Sequence, residues 1–165
     1  MKIKYITIGL LAAMIGLWAG CTFFQSEEQK VKKQFGCLFE WVSKDTGEKP
    51  LTTANKAKNI GTLFMENCSL KIPAPSLSGH YGPQEISGYA AQYRSHFSKL
   101  SLRFYDLVID FPEKGTAKAA LTARLSGTSA VGESIDEIRE LQCLLKKTEK
   151  GWLFSEVAVV EVLRK

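Results

Sequence analysis

The sequence predicts an α+β domain in which three helices pack on a strongly curved antiparallel sheet. Three observations carry this. The chain has 165 residues, 45% of them hydrophobic and 24% charged, which suits one globular domain. Up to Phe97 the apolar residues recur at helical spacing; beyond it they alternate, the period of strands. Finally, Glu149-Lys150-Gly151 interrupts two long alternating runs, as a hairpin does whose glycine supplies a positive φ.

The helices come first. From Ser26, a plausible cap, Val31, Phe35, Leu38 and Val42 mark one apolar face, and Lys30, Lys32 and Lys33 its solvated flank. A break at residues 45–50 leads to a second helix over about residues 53–66 that buries Ala57, Ile60 and Phe64. Residues 68–72 read as a short strand stopped by Pro73 and Pro75. Gly82-Pro83 then opens a third helix, reaching about Phe97, with Ile86, Ala90, Tyr93 and Phe97 inward.

The strands follow. Leu100, Leu102 and Phe104 alternate in one phase and Leu107, Ile109 and Phe111 in the other, so a β-bulge is predicted near Tyr105-Asp106. Residues 117–125 alternate small or apolar residues with Lys118, Thr122 and Arg124, giving a strand with one wet face. A loop over residues 127–134 precedes two long strands, 135–148 and 152–163. A three-residue turn between them sets Thr148 opposite Trp152. One face then collects Glu140, Gln142, Trp152, Phe154 and Glu156, and Leu141, Cys143, Leu145, Leu153 and Val157 take the other.

The N-terminus carries an address. Lys2 and Lys4 precede an apolar run from Tyr5 to Trp18 and then Ala19-Gly20-Cys21, the layout of a secretory signal. Leu17-Trp18-Ala19-Gly20-Cys21 resembles the lipobox of bacterial lipoproteins, although Trp18 stands where an aliphatic residue is usual. The resemblance implies a signal peptide at 1–20, lipidation of Cys21, a tether at 21–27 and a domain at 28–165, exported and anchored to the cell membrane or outer membrane. An uncleaved anchor extending through Phe24 is the alternative. Without Lys2 and Lys4 the chain has 20 basic against 17 acidic residues, a net +3 that does not point to nucleic acid.

Element order, the stretch Gly82-Pro83-Gln84-Glu85-Ile86-Ser87-Gly88-Tyr89, then Arg139-Glu140-Leu141-Gln142-Cys143 and Lys150-Gly151-Trp152-Leu153-Phe154, resemble the nuclear transport factor 2-like (SnoaL-like) superfamily. That resemblance implies a cystatin-like cone with an interior pocket, a possible homodimer through the sheet, and a function ranging from enzyme to interaction module. In its ketosteroid isomerase-like members a carboxylate follows the short strand. Here that place is Ile72-Pro73, and no Asp or Glu lies between Ser69 and Gly82.

Two functions stay open at this point: a membrane-tethered binding or interaction module without catalysis, and an enzyme or small-ligand binder using the cone. For the second, Tyr93, Glu140, Gln142, Trp152 and Glu156 are the candidate pocket residues, a carboxylate beside Trp152 gaining a raised pKa. His80 and Tyr81 could stand at the pocket mouth. His96 completes the histidines, and none has a partner at metal-ligand spacing, so neither a metal nor a cofactor is expected. In an oxidising compartment Cys37 and Cys68 could pair, or all three remaining cysteines could simply be buried; Cys143 reads as packing. Arg139 opposite Glu161 is an expected cross-strand pair.

Overall fold

The computed structural model of the chain describes residues 27–73 and 78–160. Helix α1 spans residues 27–42. It is followed by α2 (Pro50–Thr62), β1 (Phe64–Lys71), β2 (Gly79–Tyr81), α3 (Pro83–Ser95), β3 (Phe97–Glu113), β4 (Thr116–Ser129), β5 (Ser134–Thr148) and β6 (Gly151–Val160). The strands form one curved sheet in the order β2-β1-β6-β5-β4-β3. The meander β3 to β6 is antiparallel, as expected, whereas β1 lies parallel to β6, so the sheet is mixed. The lipobox, Ser26 and Glu161 lie outside the described residues.

Local chemistry explains most boundaries. Pro50 and Pro83 open α2 and α3, where a missing N–H costs nothing, and the Gly82 N–H donates to Glu85 Oε2 (2.8 Å) in half of a capping box. Helix α2 starts earlier and stops earlier than its apolar pattern suggests. Phe64, expected on the helix, begins β1 opposite Phe154, and the Phe154 N–H donates to the Leu63 carbonyl (2.8 Å). One step before that end, Gly61 meets α3: a Cβ there would lie 2.2 Å from the Pro83 carbonyl oxygen. Only glycine permits this approach.

The hollow of the sheet is filled by aromatics. Phe35 of α1 sets its ring edge-on to Phe104 (5.7 Å) and Phe154 (5.1 Å), and Phe64 lies against Phe154 (5.3 Å). Each such buried ring contributes roughly 1.5–3 kcal/mol. The predicted bulge is present: pairing of β3 with β4 shifts between Tyr105 and Val108, and Asp106 adopts φ 54°. Residues on both sides of the bulge thus keep an apolar face against α1.

The last hairpin departs from the expected register near its turn. The loop is the two residues Glu149-Lys150, with Thr148 opposite Gly151 and Lys147 opposite Trp152. An irregularity in β6 at Ser155 then restores the expected pairs, Leu144 with Glu156 and Gln142 with Ala158. The consequence is a change of face. Trp152 and Phe154 join Cys143 and Leu145 in the core, while Glu140, Gln142 and Glu156 keep the opposite face.

An ionic knot that patterning did not announce ties the helices together. Arg94 of α3, 1% exposed, ion-pairs with Glu48 and donates to the carbonyls of Trp41, Val42 and Ser43 at the end of α1. Lys44 returns the favour, donating to the carbonyls of Arg94 (3.1 Å) and Phe97 (2.7 Å) at the end of α3. Glu48 also takes Lys56 (2.8 Å) and Thr53 (2.8 Å) of α2. Burial pushes the Glu48 carboxyl up, but the bonds from Lys56 and Thr53 and the Arg94 charge outweigh it and hold the group below its usual range.

Candidate functional site

Helix α3 and the far ends of β1 and β2 enclose an open groove with a cavity of about 480 Å³. Strand β1 supplies Leu70, and Ile72 follows directly after it; β2 supplies Tyr81; α3 supplies Ile86, Tyr89, Ala90, Gln92 and Tyr93, and His96 follows at its end. The helix can do this because Ile86, Tyr89, Ala90 and Tyr93 fall on one face at 3, 4 and 7 residues. Tyr81 and Tyr89 meet edge to face (5.5 Å), and Tyr93 leans on Phe97 (5.1 Å). The wall is aromatic and aliphatic, with Gln92 and His96 as its amide and imidazole. Burial, and then the nearby Glu137 charge, push the Tyr93 hydroxyl above its ordinary pKa, so it is a hydrogen-bonding phenol at neutral pH.

Of the five residues proposed from sequence, this groove takes Tyr93 alone. Glu140 and Gln142 are exposed on the opposite face of the sheet, and Glu156 on that same face pairs with Lys71 (2.8 Å). Their phase was read correctly, but that face is the outside of the cone. Trp152 left their company because of the two-residue turn, and sits 2% exposed at the other end of the molecule. Tyr81 lines the groove as a strand residue rather than a loop residue, while His80, next to it in β2, is exposed. His96 and Tyr89 were not proposed for a pocket. The i, i+4 pair Tyr89 and Tyr93 was the available signal.

Of the two readings left open for the cysteines, the Cys37–Cys68 bridge is not formed, and all three described cysteines are free thiols. Cys37 of α1 is partly buried, packed against the edge of the core. Cys68 is fully buried on β1. Burial raises both its thiol and that of Cys143 to about 12, so neither is a nucleophile near neutrality. Among the described residues no group of three His, Cys, Asp or Glu side chains converges.

A second cavity, about 610 Å³, lies where the described chain begins, against Glu27, Phe111, Lys114, Lys147 and Trp152. The Glu27 side chain is 7% exposed and accepts from Trp152 Nε1 (2.8 Å), Lys30 (2.8 Å) and Lys147 (3.1 Å). The Lys30 bond foremost, with Lys147 and Trp152 outweighing burial, lowers its carboxyl to about 2. This is a carboxylate beside Trp152, but one that is ionised at neutral pH. It serves as an anchor for α1 rather than as a proton carrier.

No family model and no curated protein matches the chain. Solved structures do. A protein assigned as an aromatic ring hydroxylase from Novosphingobium aromaticivorans superimposes with a TM-score of 0.68 at 12% identity, over 84% of this chain and 91% of that one. One assigned as a scytalone dehydratase from the same organism gives 0.66 at 16%, over 84% and 86%. One assigned as a dehydratase of the nuclear transport factor 2-like family, from Streptomyces avermitilis, gives 0.65 at 12%, over 85% and 99%. The chain has the nuclear transport factor 2-like fold. At these identities the likeness establishes architecture alone. Within this fold the place where the ketosteroid isomerase-like resemblance implied a carboxylate is Ile72. Its side chain lines the groove, and its N–H and carbonyl are both bonded to the Ser78 hydroxyl (2.9 and 2.6 Å).

Proposed function

We propose that this chain is an envelope-tethered binding domain for a small, largely apolar, ring-bearing ligand held between α3 and the β1–β2 hairpin. The observation that carries the reading is the groove itself: about 480 Å³, within the ~300–1,000 Å³ range of small-molecule sites, walled by three tyrosines and four aliphatic residues. Tyrosine edges and faces complement a planar ring at low entropic cost, and Gln92, His96 and the phenol groups offer hydrogen bonds that orient it. Tethering rests on Cys21 and the apolar run before it. A catalytic variant of this reading draws on the neighbours assigned as dehydratases; the groove supplies His96 and tyrosine hydroxyls for proton transfer, and Ile72 where a carboxylate base would stand.

The test is a titration with N-phenyl-1-naphthylamine, an uncharged aromatic that brightens in apolar surroundings. Binding should saturate at one probe per chain, and Ala90→Phe, which fills the groove, should weaken it at least about tenfold, a loss of roughly 1.4 kcal/mol. Saturable binding that Ala90→Phe leaves untouched would remove the groove from consideration. For the tether, Cys21→Ser should abolish lipid attachment and leave the signal segment uncleaved, read as a change in gel mobility; unchanged mobility and lipid content would favour the uncleaved anchor.

A further inference from the structure

We infer that the end of the domain where α1 begins is a contact surface for an anionic lipid membrane, so that the domain stands on the bilayer with its ligand groove facing away. This builds on the tether reading, and two independent features of the described residues support it.

The first is position. Glu27 is six residues after Cys21 and is held at this end by Trp152, the second residue of β6. Any tether attached at Cys21 therefore enters here. Strand β6 then runs away from this end until Val157 pairs with Leu70 in the groove wall, five residues and about 16 Å further on. The attachment point and the groove occupy opposite ends of the molecule.

The second is charge. The β5–β6 turn, residues 146–150, carries Lys146, Lys147 and Lys150 against Glu149, a net +2. Beside it lie Lys114 of the β3–β4 turn, joined through the Lys147 N–H to the Gly115 carbonyl (2.8 Å), and Lys30 of α1. Glu27, Glu28, Glu66 and Glu113 share this end: Glu27 is buried under Trp152, Glu28 pairs with Lys32 (2.6 Å), Glu113 accepts from the Thr116 hydroxyl (3.0 Å), and Glu66 lines a cavity together with Lys150. The opposite hairpin, residues 130–139, carries Glu133, Asp136 and Glu137 against Arg139, a net −2 that becomes −1 with Arg124 of β4, which is ion-paired to Asp136 (2.7 Å). An anionic bilayer attracts one end and repels the other, and the attraction acts within about a Debye length of the surface. Six tether residues span at most about 20 Å, so the lysines can come within that distance of the surface.

The experiment uses the unlipidated chain from Thr22 onward, which retains every described element, and vesicles of phosphatidylcholine with or without about one third phosphatidylglycerol. Sedimentation should show binding to the anionic vesicles only, weakening as salt is raised. The triple variant Lys114→Gln/Lys146→Gln/Lys150→Gln spares both lysines that pair with Glu27. It should lose about fivefold per lysine, near a hundredfold in all, with unaltered thermal unfolding. Equal binding to neutral vesicles, or undiminished binding of the triple variant, would overturn the inference. Naphthylamine binding should be the same in wild type and triple variant; its failure in both would sink the groove reading and leave the membrane surface standing.

Discussion

Among the described residues Glu27 and Glu48 are carboxylates drawn far from solvent with partners around them, at 7% and 6% side-chain exposure, and both are held below their ordinary pKa. A carboxyl depressed in the folded state favours folding above its unfolded value and loses that contribution as pH falls through the folded one. For Glu27 the window runs from the ordinary 4.5 down to about 2. Stability to urea should therefore be flat from pH 7 to about 5 and decline below it. Glu27→Gln keeps the shape, gives up the charge, and should cost about 1.5–3 kcal/mol at pH 7 while flattening the acid limb. A curve for this variant parallel to wild type down to pH 3 would show that Glu27 is not the titrating anchor. At the same scale Gly61→Ala forces a methyl to within 2.2 Å of the Pro83 carbonyl oxygen. Chemical denaturation should register at least ~1–3 kcal/mol, an overpacking cost, because backbone is slow to yield.

Helix α1 could be read from the sequence because a single stripe, Val31, Phe35 and Leu38, faces the sheet. The bulge at Asp106 was legible too, since a phase slip in alternation has few other causes. The end of α2 was not, because Phe64 continues the helical stripe and only its pairing with Phe154, ninety residues away, makes it a strand. The two-residue turn before Gly151 and the compensating irregularity at Ser155 cancel from Glu156 onward, so about half the pairs are as expected while Trp152 changes face. That slip parts Trp152 from Glu140, Gln142 and Glu156; Tyr93 stands apart from those three because their face is the outside of the sheet. Invisible in one dimension, too, is the knot of Arg94, Glu48, Lys44 and Lys56, whose members look like ordinary surface charges until the ends of α1 and α3 meet. Removing one partner leaves the other charge buried, so Arg94→Met should cost about 3–5 kcal/mol, and adding Glu48→Gln should recover part of it. Hydrogen exchange should show the loss first at the last turns of α1 and α3. Independent, additive losses from the two substitutions would mean that they do not act as a pair.

Taken whole, the molecule is a cone of nuclear transport factor 2-like fold whose interior is occupied by its own aromatic rings, Phe35, Phe64, Phe104 and Phe154. Filling that space leaves the cavities to the periphery, and two of them lie at either end of β6. One is bounded by Tyr81, Tyr89 and Tyr93, the other by Trp152, Phe111 and the lysines around Glu27. A packed aromatic core of this kind transmits little between sites that share no partner, so the two ends should behave as separate parts. Trp152→Phe deletes the hydrogen bond to Glu27 without emptying the core, and Ala90→Phe fills the groove at the other end. Their effects on unfolding free energy should add to within about 0.5 kcal/mol, and Trp152→Phe should leave naphthylamine affinity within about twofold of wild type. Coupling well beyond that, or an affinity that follows the state of Trp152, would mean that β6 links the ends mechanically. Membrane attachment at one end would then tune ligand binding at the other.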